Sequence, residues 1–205
     1  MKNLNAHRAS THDGGYALVA LLALMSILAL ALVSAAPSLH QQNMREREKE
    51  AIFRGEEVAE AIAIYHRIKS APPKSMQELL DGVSVGTKKI QILRPSAAID
   101  PLSSTGEWRY IKRGDKELSD FQQKVMLYTQ LRQLPMREQW MQPYYSGITG
   151  LADLREDEEA PCGENNSSNS SDGFIGVVSR NQCASILTYY GIERRDKWVF
   201  TPLFR

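Results

Sequence analysis

Few residues of this chain have types that lend themselves to chemistry, and their spacing removes most of the options. Two cysteines, Cys162 and Cys183, lie in the C-terminal quarter. In an oxidising compartment they would close a loop of about 20 residues with a disulfide, worth roughly 3 kcal/mol in the chain-entropy account. In a reducing compartment they remain two free thiols. The histidines His7, His12, His40 and His66 have no Cys or Asp arrangement around them that suggests a triad or a zinc site. His66 is expected on the surface of a helix. The acidic run Asp153, Glu156, Asp157, Glu158 and Glu159 carries oxygen donors of the kind calcium takes, but not at EF-hand spacing. A solvated loop is the plain alternative. No nucleophile elbow, P-loop, HExxH or dinucleotide fingerprint occurs. An enzyme is therefore not expected, and calcium is the one cofactor option.

One further pattern points to covalent processing. Gly14-Gly15 directly precedes Tyr16 to Ala36, an uncharged run reading YALVALLALMSILALALVSAA. A helix of this length spans roughly 31 Å, the thickness of a bilayer's hydrocarbon core. A secretory signal peptide has a shorter apolar core with the small-residue cleavage site after it. Here the small residues stand before the run, so a cut at Gly15 leaves the apolar helix on the mature chain. The alternative is an uncleaved single-pass anchor that happens to follow two glycines.

The elements that position these residues follow from the rest of the 205-residue chain. After the long N-terminal helical region there is enough chain for one modest domain, and not for two. The formal net charge is +1. Losing Lys2, Arg8 and Asp13 with residues 1–15 leaves the remainder near neutral. With no basic patch, nucleic acid is not an expected partner. Arg45, Arg47, Lys49 and Arg54 outnumber Lys2 and Arg8 as flanking bases, so a plain positive-inside count puts the larger domain in the cytoplasm.

Residues 38–70 continue as a helix. Ile52, Gly55, Val58, Ala59, Ile62 and Tyr65 form its apolar face, and charged residues 45–50 are solvated or paired locally. Pro37 should bend or loosen it near the membrane boundary, and Pro72-Pro73 ends it. Ser75 to Glu78 is a capping-box pattern that opens a short helix. Residues 107–112 read as a strand and 119–134 as a helix. Residues 153–172 read as an exposed flexible loop, acidic and then Asn/Ser-rich. Strands are expected at 173–179, 185–190 and 197–201, in an antiparallel meander. Trp108, Tyr110, Trp198 and Phe200 read as core. Trp140, Tyr144 and Tyr145 read equally as core or as an exposed contact patch.

Taken together, these residues resemble the type IV pilin-like family, and within it the pseudopilins of type II secretion systems. The resemblance rests on a short leader ending in Gly15, aromatic Tyr16, the apolar helix and Pro37. It rests also on the stalk from Arg54 to Tyr65, the segment Pro72 to Leu80, Asp100-Pro101 to Trp108, and closing strands like Gly173 to Arg180 and Trp198 to Phe200. It covers about residues 14–113 and 173–202, and leaves 114–172 as an insertion.

The resemblance implies an α+β, pilin-like fold. A long N-terminal helix (16–70), half transmembrane (16–36), packs on a small antiparallel sheet head (71–205), after a leader (1–15). It implies an inner-membrane protein with its N-terminus cytoplasmic and its head periplasmic, against the positive-inside count. A prepilin peptidase would cut after Gly15 and methylate Tyr16. Other pseudopilin subunits, membrane lipid and the inner-membrane platform of the secretion system would be the partners. Some major members hold calcium in a C-terminal loop, which keeps Asp153, Glu156 and Asp157 as candidates here. Most members carry glutamate at the position of Ala20, where it is thought to meet a neighbour's terminal amine. With Ala20 uncharged, the resemblance implies either a subunit that initiates or caps the filament or a major one that pairs its amine differently.

Overall fold

The computed structural model describes residues 14–131, 139–145, 161–169 and 172–204, though not the side chains of 14, 32–40 and 145. Helix α1 (Gly14–Lys69) is followed by α2 (Met76–Asp81), β1 (Val83–Val85), β2 (Lys88–Ile90), β3 (Arg109–Ile111) and α3 (Lys116–Thr129). Then come the four-residue α4 (Gln142–Tyr145), β4 (Gly176–Val178), β5 (Ala184–Tyr189) and β6 (Ile192–Arg194). The chain is an α+β protein with small antiparallel sheets. It divides into two compact units, one ending at Asn43 and the other beginning at Met44.

In the first unit, the described residues form the N-terminal part of α1. Leu, Ala and Met favour helix, and Ser26 donates its hydroxyl proton to Leu22 O at 2.8 Å, which keeps that hydroxyl from competing with the backbone elsewhere. The helical assignment runs on through Pro37.

In the second unit, α1 contributes Val58, Ala59 and Ile62 to the core, as the three- and four-residue spacing predicts, with Ile52 and Tyr65 partly buried against it and Ala51 and Ala61 added. The helix stops at Lys69: Ser70 turns to φ 54° with its N–H on His66 O at 2.8 Å, and the two prolines follow. Ser75 caps α2 by accepting the Glu78 N–H. The other half of the capping box is displaced by one residue, because Glu78 Oε2 accepts the N–H of Lys74 at 3.0 Å and the hydroxyl proton of Tyr65 at 2.8 Å.

Each sheet has two strands. β1 pairs with β2, with Val83 opposite Ile90. β3 pairs with β4, with Arg109 opposite Val178 and Ile111 opposite Gly176. All three residues of β4 are buried, so it reads as a continuous apolar run without alternation.

The expected meander does not form. β4 joins β3, and β5 joins β6, a strand the sequence did not announce. Its hairpin turns through Tyr190 and Gly191, at φ 50° and 74°. Two consecutive positive φ values match the twist of paired strands, but Tyr-Gly is a weaker turn signal than Asn-Gly. Residues 197–201 contribute one bridge, Val177 to Phe200, in place of a strand. The helix expected over 119–134 occupies Lys116–Thr129, closed by Gln130 in the left-handed region.

Phe200 sits against α1 at Gly55. A Cβ there would lie 2.3 Å from the ring, and the ring is buried. Alanine normally gains about 1 kcal/mol over glycine inside a helix. Overpacking a full core costs about 1–3 kcal/mol, with the upper end expected where a fixed ring is struck. Gly55→Ala should therefore lower the denaturant midpoint despite its better helix propensity. A raised midpoint would show that the ring moves aside.

Candidate functional site

The N-terminal part of α1 carries the predicted processing residues. Tyr16 is 81% exposed, and Gly15 has open space where a Cβ would stand. Ala20 is exposed on the same segment. Leu18, Val19, Leu21, Leu22, Leu24, Met25, Ile27, Leu28 and Leu30 are all more than half exposed. Such a surface, apolar on every face, is of the kind that marks an interaction site. Among the described residues no helix is long and apolar enough to cross a membrane. The expected span 16–36 runs into 32–40, whose side chains lie outside the description, and so the described part of the run stops at Ala31.

A different site ties the second unit together. Glu48 is fully buried. Its carboxylate accepts the N–H groups of Ile186 (3.0 Å) and Leu187 (2.8 Å) from β5, and Nε (3.0 Å) and Nη2 (2.8 Å) of Arg195. Arg195 is itself buried and also reaches Asn181 Oδ1 at 3.4 Å. Residues 45–50 were expected to be solvated or locally paired. Glu48 departs from this because its position on α1 faces the hairpin, and four charge-assisted bonds offset its desolvation.

Cys162 and Cys183 are joined in a disulfide, with Cα atoms 4.3 Å apart. Beyond it the Asn/Ser-rich loop is held down where the sequence suggested a flexible one. Glu164 accepts the backbone N–H and hydroxyl of Ser104. Arg180 donates from Nη1 to Asn165 O at 2.9 Å and Ser167 O at 2.7 Å. Asn169 bonds both Trp108 O (2.9 Å) and Tyr110 N (3.0 Å). Of these residues Trp108, Tyr110, Ser167, Asn169 and Arg180 line a cavity of about 570 Å³, together with Met76, Ala98 and Glu107. Behind it, buried Asp100 accepts the Ser179 hydroxyl (2.7 Å) and the Leu102 N–H (2.9 Å). Burial pushes its carboxyl above the usual carboxylate range, and these hydrogen bonds only partly oppose the shift.

His66 is buried, its ring stacked on Trp140 at 4.1 Å with Tyr144 edge-on. This corrects the expectation of a surface residue: an aromatic pair from outside the helix covers it. Trp140 and Tyr144 are half-buried and pack against the core, with Arg113 over the Tyr144 ring at 5.8 Å. Trp108, Trp198 and Phe200 are core, as expected. Leader residues 1–13, Asp153, Glu156 and Asp157 lie outside the described residues. Among those described, no cluster of acidic, His or Cys side chains could hold a metal ion. Glu48, Asp100 and Arg195 were missed by sequence reasoning. The nearest available signal was Glu48 lying on the apolar stripe, three and four residues before Ala51 and Ile52.

Comparison with family models, with curated proteins and with solved structures finds no match to this chain.

Two expectations follow. Glu48→Ala and Arg195→Ala should each cost about 3–5 kcal/mol, because each strands a buried partner, and the double variant should cost clearly less than their sum. Additive costs by urea unfolding would contradict a coupled pair. For Asp100 the raised native pKa means that the folded state binds a proton before the unfolded one does. Its contribution is full below the ordinary aspartate pKa and is lost as pH rises through the raised value. Relative to Asp100→Asn, the wild type should gain stability as pH falls from neutral into that window, and parallel curves would refute the assignment.

Proposed function

We propose that this chain is a structural, non-catalytic subunit of a type IV pilin-like filament, specifically a type II secretion pseudopilus. The observation that carries the reading is the exposed apolar end of α1, starting directly after Gly14-Gly15. Covering one large aliphatic side chain stabilises by about 1.5–3 kcal/mol, so this surface supplies a strong drive first into lipid and then into a bundle of like helices. In this reading residues 1–15 are a cytoplasmic leader, and a prepilin peptidase removes them and methylates Tyr16. The apolar part of α1 rests in the inner membrane until assembly, and the domain from residue 71 onward is periplasmic. The other subunits of the filament and the inner-membrane platform are its partners, and the filament supports protein export across the outer membrane.

Ala20 refines the position. A carboxylate at this depth is costly unless it is paired. A subunit with no partner beyond it has no amine to neutralise, so an uncharged Ala20 suits the tip.

A second reading has the same apolar surface as its basis: a single-pass anchored periplasmic binding protein or enzyme that keeps its N-terminus. Intact-mass analysis of the protein from a host with an active prepilin peptidase separates the two. The filament reading expects a chain beginning at N-methylated Tyr16. A chain retaining residues 1–15 would reject it.

A further inference from the structure

The outer edge of β3 is closed by a side chain where a strand would ordinarily lie. Arg109 and Ile111 face β4, so the peptide groups of Trp108 and Tyr110 point the other way. Below them, Asp100 N–H bonds Gly106 O at 2.9 Å. Above them, Asp115 Oδ2 accepts the Lys112 N–H at 2.8 Å. On this edge Ile99 pairs with Glu107 through an isolated antiparallel bridge, and beyond that bridge Asn169 serves Trp108 and Tyr110. Its Nδ2 donates to Trp108 O and its Oδ1 accepts from Tyr110 N. A primary amide bonding one C=O and the N–H two residues on reproduces what a neighbouring strand's peptide group does there.

The surroundings suit an extended backbone. The cavity of about 570 Å³ opens beside this edge, with Met76, Ala98, Trp108 and Tyr110 on one side and residues 166–169 on the other. Arg180, only 5% exposed, already grips alternate carbonyls, those of Asn165 and Ser167. Its Nε finds no acceptor among the described residues. Its carboxylate neighbour Glu107 stands 3.6 Å away and is largely exposed. With one acid and one base in the lining, the cleft favours no net charge on an occupant.

We propose that this cleft accepts an extended peptide segment, which adds a short strand to β3 by displacing the Asn169 amide. The inference is independent of the filament reading, since it rests only on residues 76–180. The ligand class is set by what the chain itself places there: a side-chain amide standing in for a peptide group on the Trp108–Tyr110 edge, and backbone carbonyls on Arg180. The edge is short, so binding is weak, and Asn169 competes for it.

The test uses the full chain in detergent micelles. The probe is an acetylated, amidated hexapeptide of alternating threonine and valine, and the control is the same peptide N-methylated at every residue, which leaves neither edge able to donate. Binding is followed by the amide resonance of Tyr110. Wild type should bind the plain peptide in the millimolar range. Asn169→Ala should bind it about tenfold more tightly, since two competing hydrogen bonds are gone. The N-methylated peptide should bind neither. If Asn169→Ala does not fold, the wild-type titration with its control decides alone. No shift at Tyr110 with the plain peptide, or equal shifts with the N-methylated one, would overturn the proposal. So would dimerisation of Asn169→Ala without peptide binding, which would make the occupant a second copy.

Discussion

The second unit depends on a carboxylate with nowhere to go but inward. Glu48 lies on α1 where the helix meets the β5–β6 hairpin, and water does not reach it. A buried charge of this kind is tolerated only when its lone pairs are filled. Two backbone N–H groups of β5 and the guanidinium of Arg195 fill them. The same bonds satisfy the part of β5 that β6 leaves open, since the register between those strands is irregular between Ala184 and Tyr189. A two-stranded ribbon alone is marginal in water. Here it is attached to a helix by ionic bonds that work only in one register.

Other parts of the unit follow the same logic. Its sheets are too small to satisfy their own edges, so side chains do it. Asn169 closes β3, Arg180 and Glu164 hold the loop beyond Cys162, and buried Asp100 accepts the Leu102 N–H at its turn and the Ser179 hydroxyl. The apolar core lies beneath these polar fixtures, with Trp108 edge-on to Phe200 and Phe200 seated in the space that Gly55 leaves. Packing therefore supplies the bulk of the stabilisation, and the polar contacts select the arrangement.

How much of this was legible depended on how local the signal was. The stripe from Ile52 to Tyr65, the Ser75 cap, the strand at Arg109–Ile111 and the aromatic core positions all have short-range signatures, and they were readable. The helix beginning at Gly14 was readable from composition. Strand pairing was not. β3 and β4 are about 65 residues apart, and no periodicity announces such a partner. The hairpin at Tyr190-Gly191 was hidden by an atypical turn pair. Glu48 looked solvated because it sits in a charged run, and His66 because nothing local in sequence announces a cover for it, whereas their neighbours in space are Arg195 and Trp140. The processing site stayed a matter of resemblance, because Gly15 and Tyr16 make no contact that would distinguish a leader junction from an anchor's flank.

Helix α1 carries an exposed apolar surface in the first unit and a buried carboxylate in the second. In the second unit Glu48 holds the β5 backbone to α1. Amide hydrogen exchange at Ile186 and Leu187 tests that most directly. Ile186 is exposed and Leu187 half-buried in an irregular ribbon, so ribbon pairing alone would leave their amides exchanging through local fraying. If Glu48 holds them, they exchange only with global unfolding, at rates matching the core amides of β4. Exchange faster than the core by orders of magnitude would show that the buried carboxylate does not anchor the hairpin.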